Sequence, residues 1–487
     1  MPSRDILSTI EADCDAAVGR AFVELAAEYF RDTRDRDARV STPHQPAALA
    51  ERFVEPIPRD GSAIDAIIAR LRSDVIPDCN HLYHPRYVGH QIAATLPAAV
   101  WMECVTAALN QSIAVFEMSP VGTVLEHRVI AWMCELAGLP VGSGGTLTTG
   151  GTEATFTALL AARARALPDA WMNGVGPSPP VLLCGDHAHY AVTRAGAELG
   201  LGMNSVLPIR SRNFKMDPDA LSETLDDLAR ASRGVMAVVA TAGSTATGSF
   251  DDLETIAGIC ERRGVWLHVD AAHGGSALLS SEHCHRLGGL ARARSIAWDP
   301  HKMMLLPTQA GMLLVRDEHD LDAAFSQRAP YLFQGADASE RAWDQGTRSF
   351  ICSRRADVFK LWVALQRYGT TGLGGLYDHF CALARTMYEE IAERPDFEAL
   401  HEPECNILCF RYVGDRRQTD RELDLINRDV RERYNRSGEG WITGTDLDGR
   451  RVLRVTMMNP RTTVSDVRAI LDGLAAIGRG STVKGLS

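Results

Sequence analysis

The sequence predicts an α/β protein: a large domain built on a mainly parallel sheet, a smaller C-terminal α+β domain, and a helical arm ahead of both. Three observations carry this. From Gly144 onward, short β-rich runs alternate with helical stretches, the pattern of parallel strands joined by helical crossovers. Beyond a helix at Asp357 to Tyr368 the rhythm changes to longer helices separated by single strands. Residues 1–85 read as helices broken by proline-bearing links.

In chain order, the arm includes "SAIDAIIARLRSDVI" after Gly61. The large domain, 86–370, opens its alternation with a helix from Thr152 to Leu167. The runs "VLLCG", "SVLPI", "VMAVVAT" and "VWLHVD" follow as strands, and two apolar stretches flank Lys302. Leu167 to Pro180, rich in Gly and Pro, is the clearest loop. The small domain, 371–487, reads as a helix near Leu376 to Glu393, a strand at "NILCFRY", a helix through "TDRELDLINRDVRERY", a strand at "RVLRVTMM" and a final helix from Val464.

Composition narrows the class. The chain has 487 residues, 45% hydrophobic and 23% charged, with a net charge of −11, which suits a soluble globular protein and opposes a nucleic-acid surface. Eleven cysteines without repeated spacing fit reduced thiols rather than a disulfide framework. "HCH" at His283 to His285 and the pair Cys405 and Cys409 lack a second half at zinc spacing, so no metal site is expected. The N-terminus has no signal-peptide pattern, and the longest apolar run, Ile92 to Leu109, is interrupted by Pro97 and Glu103. A cytoplasmic protein without membrane association is expected.

Ligands of open α/β sheets bind beyond the C-terminal ends of the strands, so the loops after the β runs are the place for chemistry. "TLTTGGTEATFTALLAARARA" sets Gly150, Gly151 and Thr152 at a helix start, either a phosphate cradle or a plain turn capped by Thr152. "VVATAGSTATGSFDD" brings Ser244 and Thr245 to a strand end, as ligand-orienting hydroxyls or as turn residues. "VWLHVDAAHGG" ends an apolar strand with Asp270, whose carboxylate requires a cation, in a salt bridge or on a protonated ring nitrogen, and small Ala271 and Ala272 leave room for a flat ring. His187 and His189 follow another strand, and a histidine face can stack on an aromatic ring. A lysine between two buried strands either reaches water or is chemically employed. Taken together, a phosphate cradle, a stacking histidine, a buried carboxylate and Lys302 make up a pyridoxal 5'-phosphate site.

At this point the sequence resembles the group II pyridoxal-phosphate-dependent amino-acid decarboxylases of fold type I. The most specific pieces are "HPRY" at His84, "GGTEATFTALLAAR" at Gly150, "DHAHYAVTRAG" at Asp186, "VDAAHGG" at Val269 and "DPHK" at Asp299, while "YLFQ" and "SRRADVFKLWVALQRYGTTG" look closest to the glutamate and cysteine-sulfinate branch. The resemblance implies a large domain with a mainly parallel seven-stranded sheet and a homodimer with composite active sites. It implies Lys302 as the Schiff-base residue, Asp270 on the pyridine nitrogen and His189 on the ring face. Gly151, Thr152 and His301 would hold the phosphate, and Thr245 and Ala272 would line the cofactor. Arg454, in "RVLRVTMMNP", would grip the substrate α-carboxylate, and His90, in "YVGHQ", would meet a side-chain carboxylate in its cationic form. The implied activity is decarboxylation of a small or acidic amino acid through a quinonoid.

In one place the sequence departs from the family. The loop "GADASERAWDQGTRSF" contains no tyrosine, and Ser339 occupies the position of the tyrosine that protonates Cα. The alternative activity is therefore decarboxylation-dependent oxidative deamination to an aldehyde. A catalytically silent pyridoxal-binding scaffold is opposed by the presence of Lys302, Asp270, His189 and Arg454 together.

Overall fold

The computed structural model describes residues 6–325, 329, 333 and 343–481. The chain divides into two compact units: Gln91–Arg385 with His401–Leu408, and Met1–His90 with Thr386–Leu400 and Cys409–Ser487.

The first of these is built on seven strands: β1 (Gly144–Thr148), β2 (Val181–Gly185), β3 (Val206–Ile209), β4 (Val235–Thr241), β5 (Trp266–Asp270), β6 (Ser295–Trp298) and β7 (Gly311–Val315). Their order is β1-β7-β6-β5-β4-β2-β3. β2 to β6 pair in parallel, whereas β7 runs antiparallel to both β6 and β1, so the sheet is mainly parallel as the alternation predicts. Every residue of β2, β5, β6 and β7 is buried, which is why these strands read as continuous apolar runs rather than alternating ones. Leu159 and Leu160 of the helix Gly151–Ala166, with Val192 and Ala195 of the helix Ala191–Glu198, pack with Leu182, Val239 and Trp266 of the sheet.

Two local readings are refined. The Leu167 to Pro180 loop contains a short helix, Ala170–Asn173. The two helices expected around residues 357–393 run together as Val358–Ala392, joined through Gly369 at φ 61° and ψ 172°. Only glycine reaches that backbone region without strain, so the break falls there and helical geometry resumes.

The second sheet has four strands, β8 (Phe397–Ala399), β9 (Ile407–Tyr412), β10 (Thr443–Leu447) and β11 (Arg450–Thr456), in the order β8-β9-β11-β10, and apart from Ile407 and Leu408 they lie in the other unit. Its helices Asp420–Ser437 and Val464–Arg479 each begin with a capping box, at Thr419 with Glu422 and at Thr463 with Asp466. The arm belongs to this same unit: Arg36 pairs with the buried Asp466 at 2.9 Å, and Asn459 Nδ2 donates to the carbonyls of Leu82 and His84. All eleven cysteines are free thiols. Among the described residues, no helix is long and apolar enough to cross a membrane.

A buried ion pair anchors β1. Arg354 Nη1 and Nη2 donate to Glu126 Oε2 and Oε1 at 2.8 and 2.6 Å, with side-chain exposures of 5% and 1%, and the Leu147 N–H donates to the same carboxylate at 3.1 Å. Removing one partner of such a pair leaves an uncompensated charge. Arg354→Met is therefore expected to destabilise the protein by about 3–5 kcal/mol, read as a lower urea midpoint, and adding Glu126→Leu should recover much of the loss.

Candidate active site

The helix Gly151–Ala166 starts directly after β1. Thr148, the last residue of β1, is in register with Gly311, the first of β7. Thr149 donates from its N–H and its hydroxyl to Glu153 Oε2 at 2.8 and 2.7 Å. Glu153 thus secures the turn, Gly150 takes the N-cap position, and Thr152 is exposed in the first turn rather than acting as the cap. The free N–H groups of this first turn and the helix dipole favour an anion. The turn must be glycine: a Cβ on Gly151 would lie 2.8 Å from Ala272 Cβ and 3.1 Å from Asp299 Oδ2, and one on Gly150 would lie 3.1 Å from His301 Cε1.

Those neighbours belong to the segment between β6 and β7. Asp299 N–H donates to the Ala272 carbonyl at 3.1 Å, Lys302 N–H to the Asp299 carbonyl at 2.9 Å, and His301 N–H to the Ala310 carbonyl at 3.0 Å. Lys302 Nζ is 3.2 Å from Asp299 Oδ2, with side-chain exposures of 17% and 3%. The lysine is thus anchored beside the glycine turn instead of reaching into water. His301 Nδ1 accepts the Ala310 N–H at 3.1 Å, which leaves the proton on Nε2, 3.6 Å from Asp299 Oδ2. Burial pushes the His301 pKa below the usual imidazole value. Asp299 Oδ1 is buried and makes no hydrogen bond among the described residues.

Asp270 ends β5, between Thr241 of β4 and Ala297 of β6, and is 8% exposed. Its Oδ1 accepts the Ala272 N–H at 3.2 Å, and among the described residues no donor reaches Oδ2. A buried carboxylate with one oxygen available calls for a cationic N–H. His189, beyond β2, accepts the Ala191 N–H on Nδ1 at 3.3 Å, so its proton sits on Nε2. Burial lowers its pKa, and Asp270, Lys302 and Asp299 are the charges that act on it. Beyond β4, Ser244 Oγ lies 2.8 Å from Thr247 Oγ1, which lies 2.6 Å from Ser249 Oγ, a network that leaves out the half-buried Thr245.

An anion cradle, an amine and a buried carboxylate oxygen open to a cationic ring nitrogen are the donor set that pyridoxal phosphate requires. The profile of the pyridoxal-dependent decarboxylase conserved domain matches residues 46–413. The chain belongs to this family. It is 32% identical over 481 residues to the acidic amino acid decarboxylase GADL1 of Mus musculus, covering 96% of this chain and 87% of that one. To the L-2,4-diaminobutyrate decarboxylase of Rhizobium meliloti it is 34% identical over 427 residues, covering 88% and 84%. The crystal structure of mouse CSAD superposes with a TM-score of 0.89 at 30% identity, over 95% of this chain and 98% of that one. The protein is thus an amino-acid carboxy-lyase of fold type I, and its cofactor is pyridoxal phosphate.

The decarboxylase carries Arg454 and His90 in the unit that contains the arm. Arg454, on β11, is buried, and Thr443 Oγ1 lies within hydrogen-bond distance of the Arg454 carbonyl at 3.2 Å and the Gly89 carbonyl at 3.3 Å, tying β10 and β11 to the residue before His90. His90 itself is exposed at its edge. Partial burial of the ring, then the charges of Arg454 and Arg431, hold its pKa below the usual value, so the cationic form expected from the sequence is disfavoured and the guanidinium groups carry the positive charge. Tyr331 and Ser339 lie outside the described residues. Sequence reasoning missed Asp299, although the i, i+3 spacing within "DPHK" places its carboxylate beside Lys302.

Gly151→Ala should strain the cradle by about 1–3 kcal/mol and so weaken cofactor binding by about 10-fold or more. Fluorescence titration of the cofactor-free protein with pyridoxal phosphate measures this.

Proposed function

We infer that this decarboxylase releases CO₂ and an amine from a small or acidic L-amino acid, glutamate, aspartate and cysteine sulfinate foremost, with Lys302, His189, Asp270 and Arg454 as its catalytic residues. The observation that carries the reading is the Lys302 amine, held 3.2 Å from Asp299 beside the Gly151 turn.

When bound, pyridoxal phosphate supplies an electron sink for the pair left at Cα as CO₂ departs. Lys302 would hold the cofactor through its amine, which Asp299 keeps in place. Asp270, whose Oδ1 is fixed on the Ala272 N–H, would hold a proton on the ring nitrogen. The N–H groups of Gly151 and Thr152, together with His301 Nε2–H, bind the phosphate. His189 would stack on the ring, and Thr245 and Ala272 would line it. Arg454 would grip the substrate α-carboxylate with a two-pronged hydrogen bond and so fix the orientation of the bond to be broken. Two guanidinium groups close enough to depress His90 support an acidic side chain on the substrate.

A second reading rests on one sequence feature, the lack of any tyrosine between Gly335 and Phe350. Without that proton donor the product would be the aldehyde, with ammonia released and O₂ reduced to hydrogen peroxide. Exposed apolar side chains at Val105, Leu109, Val121 and Val124 support assembly as a homodimer. The free thiols support a cytoplasmic location.

Asp270→Asn is expected to retain the cofactor but lose about 10² or more in kcat, and a rate within a few-fold of the parent would remove Asp270 from the mechanism. Incubation with glutamate, aspartate, cysteine sulfinate and diaminobutyrate in air and under argon, with amine, aldehyde, ammonia and peroxide quantified, tests the activity. Amine should dominate under both atmospheres, whereas stoichiometric aldehyde and peroxide in air would establish the second reading.

A further inference from the structure

We propose that His268 is a positioning residue that fixes Asp270 relative to the phosphate turn and the lysine segment, an inference that rests on the role given to Asp270 above. His268 lies two residues before Asp270 on β5, so both side chains leave the same face of the sheet, and none of its surface is exposed. Its Nδ1 is 2.9 Å from Ser295 Oγ on β6, and its Nε2 is 3.4 Å from Thr155 Oγ1 on the helix that begins at Gly151. Ser295 Oγ also receives the Trp266 Nε1–H at 2.9 Å.

One imidazole therefore spans the three elements that bear the site. β5 presents Asp270, β6 leads into Asp299 and Lys302, and Thr155 stands about one turn beyond Gly151 and Thr152 on the helix. Burial drives the His268 pKa down to about 4, so the ring is neutral and bonds to the two hydroxyls as one donor and one acceptor. A leucine would fill comparable volume among the apolar neighbours at this depth. What the imidazole adds is direction, because a fully bonded polar chain admits one arrangement of its three elements where an apolar contact tolerates several. Misplacement by 1 Å in such a site can cost about 10²-fold in rate.

The test uses His268→Leu, which removes both bonds, and His268→Asn and His268→Gln, whose amides replace the Nδ1 and Nε2 ends respectively. The Leu variant should bind pyridoxal phosphate at least about 10-fold more weakly and lose about 10-fold or more in kcat, with KM changed by less than about threefold. The absorbance band of the bound cofactor should shift, and the Asn or Gln variant should restore part of each effect. If the Leu variant yields no folded protein, Thr155→Val and Ser295→Ala, which leave the ring in place, decide by the same measurements. A variant that melts lower yet keeps cofactor affinity, absorbance band and kcat would show a purely structural histidine and overturn the proposal. Asp270→Asn, measured in parallel, separates the two ideas: full activity there would refute the reading beneath, whereas its loss beside an intact His268→Leu would refute only the positioning role.

Discussion

The site depends on one close approach, that of the Gly150–Gly151 turn to the segment carrying Asp299, His301 and Lys302. The antiparallel pairing of β1 with β7 sets it, because Thr148 and Gly311 are opposite one another and each opens into one of the two segments. Gly311 is pressed so closely on the turn that a Cβ there would lie 2.5 Å from Gly150 Cα. An otherwise parallel sheet thus uses its two antiparallel ladders to bring a glycine turn and helix start against an amine. The ion pair between Glu126 and Arg354, with its bond to Leu147 N–H, holds β1 where that approach requires it.

Charge in this region is arranged around carboxylates rather than screened by water. Asp299 faces Lys302 and His301, Asp270 keeps one oxygen bound to backbone and the other available, and the two nearby histidines are held neutral by burial. Each histidine accepts a backbone N–H on Nδ1, so both present a defined Nε2–H donor. Neutral donors with fixed tautomers suit a flat, heteroaromatic, anionic guest. In the other unit, the charges of Arg454 and Arg431 act on His90.

Much of this was legible in the sequence, for physical reasons. The strands were readable because full burial turns them into unbroken apolar runs, and the breaks in those runs, at Gly150, Asp270 and Lys302, were conspicuous because a core tolerates few polar residues. No single break points to a cofactor site, since each has an ordinary structural use, whereas the combination does. Illegible were roles that depend on tertiary pairing. Asp299 reads as a turn residue until its carboxylate is seen beside Nζ. His268 reads as one more member of an apolar strand until Ser295 and Thr155 are seen on either side. The run Val358–Ala392 reads as two helices because the glycine-permitted break at Gly369 looks like a helix end in one dimension.

The β1 to β7 pairing also bears on how the protein reaches its native state. Lys302 sits in a connection between sequence-adjacent strands, a loop whose closure is entropically cheap, and β5 precedes β6 by a short crossover. The glycine turn joins them only through residues about 160 positions apart, among the least local contacts in the sheet. The lysine and Asp270 should therefore come together early, and the glycine turn should join them last. The last contact of the sheet to form is then the one that sets the Gly150–Gly151 turn against the segment carrying Lys302.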